Sequence, residues 1–244
     1  MRLDRLLALL GEGTRSQVRG AVREGRVTVN GAVAHDAGMR VDAAASRVCM
    51  DGRELSYRRV RHVMMNKPQG VLTAARDRSA QTVMDLLPPM YAAMGCMPAG
   101  RLDKDTEGLL ILTSDGQLAH RLLSPRHEVG KVYFVRVDGP LSEEDQAAFA
   151  AGLHIRDSDG EFDARPAALE ILASSPQESE ASVRVTEGRY HQVKRMFGAR
   201  GRHVLFLKRL QIGALKLDPA LAPGQWREIT EEEIRLLIQE ETHG

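Results

Sequence analysis

The sequence of 244 residues has only two cysteines, Cys49 and Cys96, so neither a disulfide framework nor a four-cysteine zinc site can be built within the chain. Apolar runs are short, and none approaches the roughly 20 residues that a membrane-spanning helix needs. The opening segment, MRLDRLLALLGEG, has one brief apolar stretch and no small-residue cleavage site; no secretory signal is expected, and a cytoplasmic location is. Aromatic residues make up 4% of the chain, so any stacking surface must be made from few side chains. No glycine-rich phosphate cradle is present, nor any internal repeat or low-complexity segment. What is left, 43% hydrophobic and 27% charged, is the composition of an ordinary globular protein with room for one large core and a small accessory domain.

The net charge of +1 conceals an uneven distribution. Residues 1 to 62 carry twelve Arg against seven acids, and residues 186 to 216 carry eight Lys or Arg against Glu187 alone. Residues 142 to 180 carry ten acids against Arg156 and Arg165. A polyanion responds to the two basic segments rather than to the average.

Near the start, Leu3, Leu6, Leu7 and Leu10 fall at helical spacing, with Arg2 and Arg5 between them. A second helix, SQVRGAVREG, has Ser16 as its expected cap, Val18 and Val22 inward and Gly25 as its stop. Arg15, Arg19, Arg23 and Arg26 step by four, four and three, which puts them on one face opposite those valines. Guanidinium forks match phosphate oxygens, so such a stripe suits RNA contact; a merely solubilising face is the alternative. Arg26–Val29 alternates like a strand, Asn30-Gly31 suits a tight hairpin, and VCMDG with Glu54 and Leu55 reads as one further strand.

SYRRVRH, residues 56 to 62, reads as a linker. Beyond it, HVMMNKPQGVL, LLILT, KVYFVRV, ALEIL, SVRVTEG and HVLFLKRLQIG read as strands. SAQTVMDLL, QLAHRLL, SEEDQAAFAAG, YHQVKRMFGAR and TEEEIRLLIQEE read as helices. The mixture lacks the regular alternation of a parallel sheet, so the expected fold is α+β, with domains at 1–60 and 61–244. The second is expected to hold a mixed, mainly antiparallel sheet.

The stretch AGRLDKDTEGLLILT carries the densest chemistry, with carboxylates at 103 and 105 in a loop that enters a buried strand. One reading makes both turn residues that cap local N–H groups. A phosphotransfer site is a second reading, but the apolar strand follows the first Asp instead of preceding it. The third is a single catalytic Asp held by a cation. AGRLDKDTEGLLILT, KVYFVRV and EGRYHQVKRMF, in this order and spacing, resemble the family of ribosomal small-subunit pseudouridine synthase A and its large-subunit relatives. That resemblance covers essentially residues 1 to 240, including LAPGQWREIT. RLDRLLA, the two-helix spacing and GRVTVNG resemble the small S-four-type RNA-binding domain, over roughly residues 1 to 60.

The resemblance implies an enzyme that isomerises uridine in structured ribosomal RNA, with 16S rRNA or a small-subunit assembly particle as partner. It puts the catalytic aspartate at Asp103, the active-site tyrosine at Tyr133 and the basic partner at Lys194, where many relatives outside this branch have Arg. Arg195 is adjacent, and is counted with Arg101 and Lys67 as substrate-binding; Lys67 is read as a phosphate contact, with structural packing around Pro68 as the alternative. Arg2, Arg15, Arg19, Arg23 and Arg26 are counted as RNA-binding. The isomerisation consumes nothing, so no ATP, NAD or metal is expected, and the target base must flip out of its stack. A carboxylate in a pocket loses hydration, which favours its neutral form, and a fixed ammonium restores the charged one. His191 reads as a structural histidine. A large-subunit target, or an assembly factor that binds RNA without catalysis, are the alternatives; a monomer is expected.

Overall fold

The computed structural model describes residues 1–55, 57–58 and 60–239. Ser56 and Arg59 of the expected linker, and Glu240 and Glu241 of the expected last helix, therefore lie outside the described residues. The chain divides into two units, Met1–Arg61 with Leu87–Cys96, and His62–Leu86 with Met97–Gly244. The segment 87–96, which the sequence reading places in the second domain, thus packs with the first.

In the first unit, helix α1 (Leu3–Leu9) buries Leu3, Leu6 and Leu7 against Val18, Ala21 and Val22 of α2 (Arg15–Arg23). Thr14, not Ser16, caps α2: its hydroxyl accepts from Gln17 N, and the Gln17 side chain accepts from Thr14 N. Strands β1 (Val27–Val29) and β2 (Ala32–Val33) are joined through Asn30 and Gly31, both at positive φ. The expected single strand from Val48 is a second hairpin. Asp51 and Gly52, also at positive φ, turn β3 (Val48–Met50) back into β4 (Arg53–Leu55). The four strands run in the order β2-β1-β3-β4. Pro89–Ala93 forms the short helix α3.

Ion pairs already engage three of the five arginines expected to meet RNA. Asp4 is buried in the first turn of α1 and accepts from Arg2 and from Arg19, its nearest approach to the latter being 2.8 Å. Those hydrogen bonds hold its carboxyl down at about 2. Arg26 is bound to Asp51 and Glu24. Arg15 and Arg23 are exposed.

In the second unit, among the described residues, nine strands form one mixed sheet. Its continuous path uses β5 (His62–Lys67), β7 (Glu107–Thr113), β8 (Lys131–Asp138), β11 (Ala168–Ser174), β12 (Glu178–Val185), β13 (Val204–Ile212) and β15 (Trp226–Glu228). The order is β11-β12-β8-β13-β7-β5-β15, with β6 (Met97–Pro98) and β14 (Leu215–Lys216) paired to β7 and β13. Pairings are antiparallel except between β13 and β7. Helix α4 (Gly116–Leu123) packs Leu118 and Leu122 onto Met64, Leu109 and Ile111 of one face. Helices α5 (Glu143–Ala151), α6 (Gln192–Ala199) and α7 (Glu231–Leu236) complete the unit.

One local expectation fails for an identifiable reason, and one element lies where no expectation was made. SAQTVMDLL is helical only as the 3-10 turn Val83–Leu86. Leu72 N donates to Gln81 O and Val83 N donates to Leu72 O, so residues 81–83 pair with another segment and spend backbone groups that a helix would have used. The acidic stretch after α5 forms a hairpin, β9 (Leu153–Asp157) with β10 (Gly160–Ala164), that packs on α6. No described helix is long and apolar enough to cross a membrane.

The element that positions the site is the end of β5. Pairing with β7 sets Lys67 opposite Gly108, and the Lys67 side chain is wholly buried. Its Nζ donates to the carbonyls of Pro68 (2.9 Å), Asp103 (3.0 Å) and Thr106 (2.9 Å), and approaches that of Lys104 at 3.4 Å. Burial pushes this ammonium down to about 8, against the pull of Asp103, Asp105 and Glu107. Lys67 is therefore not a phosphate contact: its donors are used inside the protein, pulling the 103–106 loop onto the sheet.

Replacing Lys67 with Met leaves those carbonyls without a donor and is expected to lower stability by at least about 2 kcal/mol in urea unfolding. The folded state holds the Lys67 proton less tightly than the unfolded chain does. Wild-type stability therefore rises as pH climbs from about 8 towards the ordinary lysine value of 10.5. That rise should be smaller in the Lys67→Met protein; an equal rise would show that Lys67 is not its source.

Candidate active site

The loop between β6 and β7 carries Gly100, Arg101, Leu102 and Asp103. Thr73 clamps it from one side, its hydroxyl donating to Leu102 O at 2.7 Å, while Gly70 N donates to Lys104 O at 2.8 Å. With the carbonyls turned towards Lys67, the Asp103 side chain faces a concave pocket of about 350 Å³. Tyr133 and Lys131 of β8, Arg209 of β13, and His191 and Lys194 from the start of α6 line the same pocket.

Lys194 stands between two carboxylates, 3.4 Å from Asp103 Oδ2 and 2.5 Å from Asp105 Oδ1. Partial burial opposes ionisation of Asp105, but the hydrogen bond and charge of Lys194 outweigh it and hold that carboxyl below its ordinary value. His191 Nε2 lies 3.5 Å from the other Asp103 oxygen. His191 adopts positive φ at the residue before α6, and its ring stacks on exposed Tyr190 at 3.8 Å between centroids. Asp103 therefore meets one cation and one titratable ring while its side chain stays 28% exposed to the pocket.

Tyr133 is buried to 9% exposure, and its hydroxyl accepts from Arg209 Nη1 at 3.5 Å. Arg209 Nε donates to Leu109 O at 2.7 Å. This arrangement depends on Gly108, at φ 106°, because a Cβ there would stand 2.2 Å from the Arg209 carbonyl oxygen. The pocket's other carboxylate, Glu187, is occupied. It accepts from Gln192 Nε2 (2.8 Å), Arg165 N (2.9 Å) and Arg189 Nε (3.3 Å).

The structure brings Asp103, Tyr133, Lys194 and Arg101 together at one pocket. It does not bring Arg195 to Asp103. Arg195 makes two bonds to Asp157 (2.8 and 2.9 Å) and one to Gly160 O, and lies 4.6 Å over the Phe162 ring. Substrate contact is thus the wrong role for Arg195, which fastens α6 to the β9–β10 hairpin. Sequence reasoning missed Lys131 and Arg209, gave Asp105 no part in holding Lys194, and set His191 aside as structural. The HQ pair ahead of Lys194 was the available signal for His191. Among the described residues, no three His, Cys, Asp or Glu side chains cluster as a metal site.

Comparison with known proteins gives this pocket a family. Residues 61–199 match the RNA pseudouridylate synthase family, and residues 1–45 match the S4 domain. An uncharacterised RNA pseudouridine synthase of Bacillus subtilis (strain 168) is 48% identical over 97% of this chain and 98% of that relative. Ribosomal small subunit pseudouridine synthase A of Escherichia coli (strain K12) is 38% identical over 98% of this chain and 100% of its own length. A crystal structure of a pseudouridylate synthase superposes with a TM-score of 0.67 at 36% identity, covering 97% of this chain and 99% of that one. On these matches, which run from the N-terminal unit through the pocket, the chain belongs to the RNA pseudouridine synthases that carry an S4 domain.

Proposed function

We propose that this protein converts one uridine of 16S ribosomal RNA to pseudouridine, with Asp103 as the catalytic carboxylate acting on a base flipped into the pocket. The observation that carries the reading is the Asp103 carboxylate, open to a pocket large enough for a nucleotide and flanked by Lys194 at 3.4 Å. The 16S target rests on the end-to-end likeness to a relative named for the ribosomal small subunit.

Isomerisation starts by breaking the bond between ribose C1′ and ring N1, whose electron pair passes to the ring. Asp103 enables this step by bonding to C1′ or by removing the neighbouring 2′ proton. Lys194, 3.4 Å from Oδ2, attracts the carboxylate and keeps it aimed into the pocket. The detached ring turns, and C5 bonds to C1′ as the Asp103–C1′ bond breaks or as the proton taken from C2′ is returned; the C5 proton then leaves, and N1 takes up a proton. Tyr133, on the opposite side of the pocket, stacks on the ring and exchanges a proton at the sugar. Arg101, exposed beside Asp103, fills the gap left by the flipped base or grips a phosphate. The S4 domain holds the folded RNA through Arg15 and Arg23.

Pseudouridine mapping of both ribosomal RNAs, from cells with and without the gene, tests the function directly. One stop lost from the small-subunit RNA is expected; a stop lost from the large-subunit RNA would keep the chemistry and overturn the target. Asp103→Asn should abolish turnover on an RNA transcript while RNA affinity persists, and turnover near wild type would end the assignment. Changing Arg15 and Arg23 together to Ala should weaken RNA binding and reduce the slope of log affinity against log salt by up to about 2, as two phosphate contacts are lost. An unchanged slope would turn that face of α2 away from RNA.

A further inference from the structure

Among the described residues, two cations on the sheet side of the pocket have no carboxylate partner. Lys131 and Tyr133, two residues apart on β8, both line the cavity, as does Arg209 on β13. The β13–β8 register pairs Arg209 with Tyr133 and Ile212 with Lys131. Lys131 Nζ donates to one carbonyl, that of Val129, at 3.0 Å, and among the described residues its other two N–H groups have no partner. Burial, joined by repulsion from Arg209, pushes this ammonium down to about 8, and no acid acts on it strongly enough to oppose the shift. Arg209 is 3% exposed, with Nη2 unpartnered behind Tyr133 and again no carboxylate at hand.

Lys67 makes the contrast plain: it is wholly buried and carbonyls saturate its donors, whereas Lys131 stays half-buried at the pocket wall. Lys131 is desolvated, unsaturated and open to the cavity, and an ammonium so placed favours an electron-rich ligand. The proposed reaction makes one. When the C1′–N1 bond breaks, its electron pair stays with the ring, and the charge spreads from N1 onto the two carbonyl oxygens.

We propose that Lys131 is a further catalytic residue, which binds the uracil ring through a carbonyl oxygen and neutralises the negative charge that the ring carries while detached from ribose. Arg209 is a positioning residue behind it: it holds the Tyr133 hydroxyl and adds positive charge without touching the ring. This inference rests on the pseudouridine-forming reaction proposed above. It adds a leaving-group role that neither Asp103 nor Lys194 fills, both of them lying on the loop and helix side of the pocket.

The test varies the leaving group. Folded transcripts carrying uridine or 5-fluorouridine at the target are reacted in single turnover with wild type, Lys131→Met and Lys131→Arg. Loss of the starting nucleoside is read after nuclease digestion, and affinity by filter binding. Fluorine makes the detached ring a weaker base, so its departure depends less on a neutralising cation. Lys131→Met should slow uridine roughly 100-fold, the usual scale for losing one charge-stabilising donor, but slow 5-fluorouridine less than about tenfold, with RNA affinity within about threefold. Lys131→Arg should recover much of the uridine rate, and Lys131→Gln replaces the Met variant if that one does not fold. Equal slowing of both substrates would overturn the proposal, as a phosphate grip or a packing defect ignores the leaving group; an undiminished uridine rate would overturn it too. Wild type converts the uridine transcript in the reference arm, and its failure there would instead count against the functional reading itself.

Discussion

A lysine ammonium at the end of a buried strand would normally be drawn back to water, and here it cannot be. Lys67 is sealed beneath the 103–106 loop, where backbone carbonyls from that loop and from Pro68 replace its hydration. The bond works in both directions. It makes burial of the charge tolerable, and it turns several carbonyls of one short loop inward, which leaves the Asp103 side chain to the pocket. The Thr73 hydroxyl, exchanging hydrogen bonds with Leu102 N and O, fixes the residue just before. Asp103 is thus placed by backbone bonding to a rigid sheet, the condition under which a catalytic group keeps its geometry between turnovers.

The other side of the pocket depends on the one parallel pairing among the described strands. Bringing β13 alongside β7 puts the Arg209 carbonyl where a side chain on residue 108 would be, so a glycine is the only residue that fits. That contact sets the depth of Arg209, and Arg209 in turn holds Tyr133. Lys67 sits opposite the same Gly108 from the β5 side. Gly108 is therefore flanked by two strands beneath the pocket, each bringing a buried cation, and its missing side chain is what lets β13 approach.

Much of this was readable in the sequence, and what was not shares a cause. The three motifs locate Asp103, Tyr133 and Lys194 because each is a local string. The S4 resemblance locates the first unit, and the Asn30-Gly31 turn gives its hairpin. Lys67 was misread because its role depends on the β5–β7 register, which no local pattern encodes. The arginine stripe on α2 has the expected spacing, but Asp4, one helix away, claims Arg19 along with Arg2. Lys194 and Arg195 look interchangeable in a string. On a helix they point about 100° apart, so one reaches Asp103 and the other meets a hairpin whose acidic sequence had suggested no strand.

Cations in the pocket divide into two kinds, and the division matches the charge that the proposed reaction creates. Lys194 is shared by Asp103 and Asp105, so the wall made by the loop and α6 sets one ammonium against two carboxylates and holds the Asp103 carboxylate in place. Among the described residues, Lys131 and Arg209, on the wall made by β8 and β13, form no ion pair with an acid, and Arg209 Nη2 has no hydrogen-bond partner. Breaking the bond from sugar to base separates charge in the same sense, electron-poor at C1′ and electron-rich in the ring. A carboxylate on one side and unpaired cations on the other stabilise that separation together, while a ground-state nucleotide, neutral at both places, gains little from either. The polarity also holds the loose ring by attraction to a fixed wall without a covalent tether, and a ring held that way is free to turn from N1 to C5 before it is rejoined.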